Sequence, residues 1–237
     1  MAVLEAASTD GPQLRLNGQL DRKMYEAVNK ALEIAGGKWN RSAKAHVFPG
    51  DAAEAIEGIL LTGEITDAKR EFDAFYTPSD VVDRLIVLAD IQPGMTALEP
   101  SAGEGAIALR LARAGAIVTA YEIRSTPSWW AECPTITAHC GDFTHVHPEP
   151  AFDRVVMNPP FSKQQDMHHV IHAANFLKPG GILVAVMSPA FEFRTTVIAS
   201  AFRCLMSGWG GETINLPEGS FKSSGTMVNA RIVKLRA

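Results

Sequence analysis

Apolar residues recur at helical spacing between Asp21 and Ala35, at Met24, Val28 and Leu32 with Ala27 and Ala31 beside them, and Gly36-Gly37 closes the run. A helix is predicted there. Lys38-Trp39-Asn40 and Ala45-His46-Val47-Phe48, separated by Arg41 to Lys44, read as a short hairpin, and Asp51 to Leu61 as a second helix. Residues 64–74 are polar and charged without an apolar period and read as a connector. The chain is therefore expected to divide into a small α+β extension of helix-hairpin-helix character, residues 1–70, and a larger domain, residues 71–237.

From Phe75 onward helical and strand patterns alternate, which predicts an α/β domain with a mostly parallel sheet covered by helices on both faces. Helices are expected at 78–89, 105–114, 166–177 and 195–206. Strands are expected at 95–99, 117–121, 136–138, 154–157 and 182–187, and two closing strands at 213–216 and 227–235. No internal repeat or low-complexity segment interrupts this order.

With 237 residues, 46% of them hydrophobic, the chain can build one sizeable α/β core plus an appendage. No stretch approaches the roughly 20 consecutive apolar residues of a membrane span, and residues 1–10 have neither the basic flank nor the apolar core of an export signal. Cys133, Cys140 and Cys204 are odd in number and lack CxxC spacing, so neither a disulfide framework nor a metal site is expected, and a reducing cytoplasm is the simplest location. The net charge of −4 excludes a broadly basic nucleic-acid coat, yet Arg22, Lys23, Lys30, Lys38, Arg41, Lys44 and His46 cluster within residues 22–46. They are either a solvated helix face with a basic turn or a local nucleic-acid contact.

The densest chemistry lies at Asn158-Pro159-Pro160-Phe161, directly after the apolar run Val155-Val156-Met157. Two prolines fix their own backbone and hold the preceding residue extended, so the turn is stiff. The Asn158 side-chain carbonyl and the Pro159 main-chain carbonyl can both accept from one planar amino group, while Phe161 offers a ring face. An ordinary proline turn closing a strand is the plain alternative. Upstream, Glu99-Pro100-Ser101-Ala102-Gly103-Glu104-Gly105 joins a strand to a helix where small residues let a ligand approach the helix N-terminus. It is not GxGxxG, and Glu99 suits an ammonium better than a pyrophosphate. Glu122 ends the next strand, where a carboxylate can take both hydroxyls of a ribose. Asp142 and Phe143 follow the third strand and could receive an adenine amino group and pack on its ring, or simply form a turn.

At the tetrad the chain resembles the S-adenosylmethionine-dependent amino-methyltransferases, and its motif order resembles the γ-type DNA adenine-N6 enzymes over residues 75–237. The resemblance implies a Rossmann-like class I methyltransferase fold with a seven-stranded sheet whose last strand is antiparallel, S-adenosylmethionine as cofactor, and DNA as partner. It assigns catalysis to Asn158, Pro159, Pro160 and Phe161. It assigns the methionine end of the cofactor to Tyr76 and Thr77 of the segment Phe75-Tyr76-Thr77-Pro78, and the rest to Glu99, Pro100, Ser101, Ala102, Gly103, Gly105, Glu122, Asp142, Phe143 and Asn158. Without the resemblance, Thr77-Pro78 is a helix cap followed by proline at the first helical position. Phe221, the aromatic in the Gly/Ser-rich loop 217–226, would face Phe161 across a flipped base, with Lys222 on a phosphate; a loop aromatic covering the core edge is the alternative. Residues 158–188 also resemble small methyltransferases of phages and mobile elements, which suggests a restriction-modification or phage setting.

The Lys178-Pro179-Gly180-Gly181 segment reads as a turn before a buried strand, supporting the fold rather than the chemistry. His168 and His169 are adjacent, point about 100° apart on a helix, and are expected to serve packing or capping rather than a metal. The γ-type DNA enzymes carry a target-recognition domain after the closing strands, so recognition is expected to fall to the extension with Trp39 and the basic hairpin, or to be lax. An RNA base or a protein glutamine presents the same planar amino group and remains an alternative acceptor, and a binding protein without turnover is a further alternative. No cysteine follows a proline, which weighs against cytosine carbon-5 chemistry.

Overall fold

The computed structural model describes residues 2–62, 76–124, 133–224 and 229–237. A short helix α1 (Ala2–Glu5) precedes a hairpin of β1 (Ser8–Asp10) and β2 (Gln13–Arg15). Asp21 then caps α2 (Arg22–Ile34) by accepting the Met24 amide at 2.9 Å, and the face carrying Val28, Ala31 and Leu32 is buried. The expected hairpin is present as β3 (Lys38–Asn40) and β4 (Ala45–Val47), and Asp51 accepts the Glu54 amide at the start of α3 (Ala52–Thr62). The β1-β2 hairpin was not foreseen. Its six strand residues are polar except for the buried Leu14, so no apolar alternation announces it. It pairs with β4 through β2, and the four strands make an antiparallel sheet in the order β1-β2-β4-β3. The boundary expected near residue 70 and Phe75 lie outside the described residues.

The larger sheet alternates with helices as the sequence predicts. It comprises β5 (Thr96–Glu99), β6 (Ile117–Glu122), β7 (Ile136–Cys140), β8 (Phe152–Met157), β9 (Leu177–Met187), β10 (Glu212–Asn215) and β11 (Arg231–Arg236) in the order β10-β11-β9-β8-β5-β6-β7. β7, β6, β5, β8 and β9 are parallel, and β11, last in sequence, is antiparallel to both neighbours. Successive side chains of β9 alternate between two cores: Ile182, Val184 and Val186 pack with α4 (Ser79–Ala89) and α5 (Ala106–Arg113), while Leu183, Ala185 and Met187 pack with α6 (Gln165–Ala174) and α8 (Val197–Gly208). This two-sided burial explains the unbroken apolar run in that strand.

Several expected elements differ in their ends, among them β11, which runs from Arg231 to Arg236 where 227–235 is expected. α6 stops at Ala174, and Leu177 already pairs with Phe152 at the start of β9. The next pair is Arg154 with Ile182, so Lys178 to Gly181 bulge out of the ladder instead of preceding it. The helix expected at 195–206 is α8 with Thr196 as its N-cap, and a separate short helix α7 (Ala190–Phe193) stands before it. Buried Arg154 serves the start of the sheet, donating to the Ala89 and Asp90 carbonyls where α4 ends and Asp90 turns left-handed. The order of strands reverses between β5 and β8, and a crevice opens at their carboxyl ends, as expected of an open α/β sheet.

Candidate functional site

A cavity of about 690 Å³ occupies that crevice, within the size range of small-molecule sites. Its walls come from the turn after β5 (Pro100, Ser101, Gly103), the end of β6 (Glu122), the turn after β7 (Asp142, Phe143) and the tetrad after β8. Phe221 closes it from the loop before β11. A recess of about 40 Å³ adjoins it, bounded by Tyr76, Thr77, Glu99, Ala102 and Asn158 among others. Segments far apart in sequence thus meet at one place.

At the glycine turn, Gly103 has φ +52 and open space where a side chain would stand, and Gly105, the N-cap of α5, has φ +78. Glu122 reaches back to hold this turn: Oε2 accepts the Gly103 amide at 2.7 Å and Oε1 accepts the Arg124 amide at 3.0 Å. Each oxygen keeps a second lone pair for a ligand. Glu99 is 1% exposed and its Oε2 has no hydrogen-bond partner among the described residues. Burial, with Glu122 adding to it, pushes its carboxyl well above the ordinary carboxylate range. An orphaned buried carboxylate oxygen below an open glycine cradle fits a ligand that brings a cationic donor, such as the ammonium of an amino-acid moiety.

Asp142 caps its own turn, accepting from the Thr144 amide at 2.9 Å and the Thr144 hydroxyl at 2.7 Å, and the Thr144 hydroxyl is the main cause of its lowered pKa. Phe143 is 2% exposed and packs among Tyr121, His172 and Phe176, so it belongs mostly to the core while still lining the cavity. At the tetrad, Asn158 Nδ2 donates to Thr77 Oγ1 at 3.0 Å. That bond orients the amide and leaves Oδ1 as an acceptor with no partner among the described residues. Phe161 and Phe221 are both buried and belong to one apolar cluster, and both line the cavity. Ser224 Oγ donates to the Tyr76 carbonyl at 2.6 Å, tying the loop that carries Phe221 to the Thr77 segment.

Of the residues singled out in the sequence, Tyr76 is 60% exposed at the cavity mouth, Gly105 shapes the turn without lining the cavity, and Lys222 is exposed and outside its lining. His168 and His169 both line the cavity, and His169 Nδ1 lies 3.3 Å from Ser101 Oγ, because α6 starts within four residues of the tetrad and its first turn faces the crevice. Burial lowers the His169 pKa and favours the neutral ring. Gln165 and Thr144 are further lining residues. Their only signal in the sequence is adjacency to the tetrad and to Asp142. Among the described residues no cluster of His, Cys, Asp and Glu is placed to hold a metal, and no helix is long and apolar enough to cross a membrane.

Solved structures share this fold. The modification subunit assigned to a type I restriction enzyme of Vibrio vulnificus YJ016 superposes with a TM-score of 0.58 at 16% identity, covering 78% of this chain and 48% of that one. TrmN from Thermus thermophilus superposes at 0.51 with 22% identity, covering 67% and 48%. A class I S-adenosylmethionine-dependent methyltransferase assigned in Listeria monocytogenes superposes at 0.52 with 14% identity, covering 68% and 60%. The chain thus spans about half the length of the first two. No curated protein matches it. The family model described as methyltransferase small domain matches residues 88–206, just over half of the chain, which include the glycine turn, Glu122, Asp142 and the tetrad. The open glycine turn above the orphaned Glu99 oxygen, with Glu122 at the end of β6, fits S-adenosylmethionine as the cofactor. By the family match the chain belongs to the methyltransferase small domain family.

Proposed function

We propose that the protein methylates the N6 amino group of adenine in DNA, with the base flipped into the cavity beside Asn158-Pro159-Pro160-Phe161. One observation carries this reading: the Thr77 hydroxyl takes the Asn158 amide nitrogen and so presents Oδ1 as an acceptor next to a proline-fixed carbonyl and an aromatic wall. An exocyclic amino group has two protons to donate, and two fixed acceptors orient its weak lone pair toward the methyl donor. Phe161 and Phe221 supply apolar walls for a planar ring. Bound S-adenosylmethionine supplies a methyl group on a sulfonium, and the acceptor nitrogen loses one proton to solvent as the methyl is gained.

On this reading Glu99 receives the ammonium, the turn Pro100 to Gly103 cradles the amino-acid end, Glu122 meets the ribose, and Asp142 and Phe143 meet the cofactor's adenine. Tyr76 and Thr77 flank its methionine portion. The extension, residues 2–62 as described, brings the basic cluster of residues 22–46 as a candidate DNA contact. The fold shared with a restriction-modification subunit makes DNA the first acceptor to test.

The test is radiolabelled methyl transfer from S-adenosylmethionine to unmethylated DNA, total RNA and a protein extract in parallel, with nucleoside mass spectrometry of the product. N6-methyladenine in the DNA arm is expected. Label confined to RNA or protein would keep the tetrad chemistry and overturn the DNA assignment; label on another atom of DNA would overturn the tetrad role.

A further inference from the structure

Two non-glycine residues, one position beyond the tetrad, adopt left-handed backbone conformations: Lys163 at φ +53 and Gln164 at φ +62. Such a pair is unfavourable for residues with a Cβ, and it persists only where the surroundings hold it. Successive backbone amides in a tight turn can also face one concavity that receives an anion. Here the anion comes from the other layer of the molecule. Glu57 of α3, 8% exposed, accepts the Lys163 amide at 3.0 Å through Oε2, and the Gln164 amide stands near enough to help stabilise this carboxylate.

The carboxylate is itself held in place. Its Oε1 lies 3.3 Å from Nη2 of buried Arg194, which also donates to the Ala53 carbonyl at 2.9 Å, one turn earlier on α3. Thr196, the N-cap of α8, donates to the Gln164 side chain. The clamped pair lies between Phe161 and α6, whose Gln165, His168 and His169 line the cavity. The angle between the tetrad and these residues therefore depends on a side chain 106 positions earlier in the sequence.

We propose that Glu57 is a positioning residue for the acceptor side of the site, so that the N-terminal layer completes the catalytic loop by holding Lys163 and Gln164 in their left-handed conformation. This rests on the tetrad being the acceptor site. Glycine adopts such a conformation without external help, which separates holding the loop from merely docking the extension.

Three proteins are compared in full length: wild type, Glu57→Ala, and Glu57→Ala combined with Lys163→Gly and Gln164→Gly. Hydrogen exchange is expected to rise in Glu57→Ala across residues 161–169 while β8 and β9 stay protected; unchanged exchange at 161–169 would overturn the proposal. With the acceptor that wild type methylates, Glu57→Ala should lose roughly ten- to a hundredfold in kcat with S-adenosylmethionine affinity within about threefold, and the glycine pair should restore most of the loss. Undiminished kcat in Glu57→Ala, or a loss that the glycines leave unrepaired, would refute the positioning role. Absence of N6-methyladenine in the wild-type product would instead count against the acceptor assignment, and the exchange comparison would still decide the role of Glu57.

Discussion

Thr77 and Asn158 stand 81 positions apart, and the hydrogen bond between them sets which atom of the Asn158 amide faces the cavity. If Oδ1 orients the acceptor amino group, Asn158→Ala should lower kcat by about a hundredfold or more while cofactor affinity, measured by calorimetry, stays within a few-fold. Thr77→Val, which removes the oxygen that receives Nδ2, should cost less, since the amide can find its orientation part of the time. Equal activity in Asn158→Ala would sink the assignment. Glu99 yields a different prediction. Burial holds its carboxyl largely protonated up to a raised pKa, and an arriving ammonium favours the carboxylate. S-Adenosylmethionine binding below that pKa should therefore release a proton, and affinity should climb as pH rises toward it. Calorimetry in buffers of different ionisation enthalpy reads the release, which Glu99→Gln should abolish; binding without proton exchange in wild type would contradict the role. The types and spacing of Glu99, Glu122 and Asn158 were legible in the sequence. That Glu122 spends one lone pair of each oxygen on the Gly103 and Arg124 amides was not, because such bonds depend on how the turns approach one another.

Among the elements, β9 and α6 show what a local pattern can and cannot carry. The alternation of Ile182 to Met187 between two apolar cores makes the strand visible as a continuous run, whereas the end of α6 and the bulge at Lys178 to Gly181 depend on pairing with β8. Gly181 lies inside that bulge, and a Cβ there would come within 2.9 Å of the Lys178 carbonyl oxygen and 3.2 Å of the Asp153 carbonyl oxygen. Backbone on two sides leaves little room to yield. Gly181→Ala should destabilise the protein by about 1–3 kcal/mol, read from denaturant midpoints; an unchanged midpoint would mean that the bulge relaxes freely. The hairpin β1-β2 escaped detection for the opposite reason. With Leu14 as its one buried apolar residue it has no period, and it exists because β2 completes an antiparallel sheet beside β4.

Over the whole molecule, two buried or bonded carboxylates pull stability in opposite directions with pH. Asp153 accepts from the Thr96 amide and hydroxyl and from Lys178, which lower its pKa to about 2, so its contribution is complete above about pH 4 and is lost as pH falls through 2. Asp166 is fully buried beside Ser188, and burial raises its pKa to about 7. Its folded form holds the proton more tightly than the unfolded chain does, so its contribution is present below about pH 4 and is lost as pH rises through 7. Denaturant titrations between pH 4 and 7 should show a decline in stability that Asp166→Asn flattens; an equal decline in the variant would assign it to other groups. The sequence by itself determined the alternation of helices and strands and the order of the chemical motifs, because periodicity and turn chemistry act over a few residues. Only the tertiary structure decided that His169 meets Ser101, that Thr77 turns the Asn158 amide, and that Glu57 of the N-terminal layer holds the loop behind the tetrad. Those contacts join positions 68, 81 and 106 residues apart, and a single pairing across such distances leaves no repeating signal along the chain.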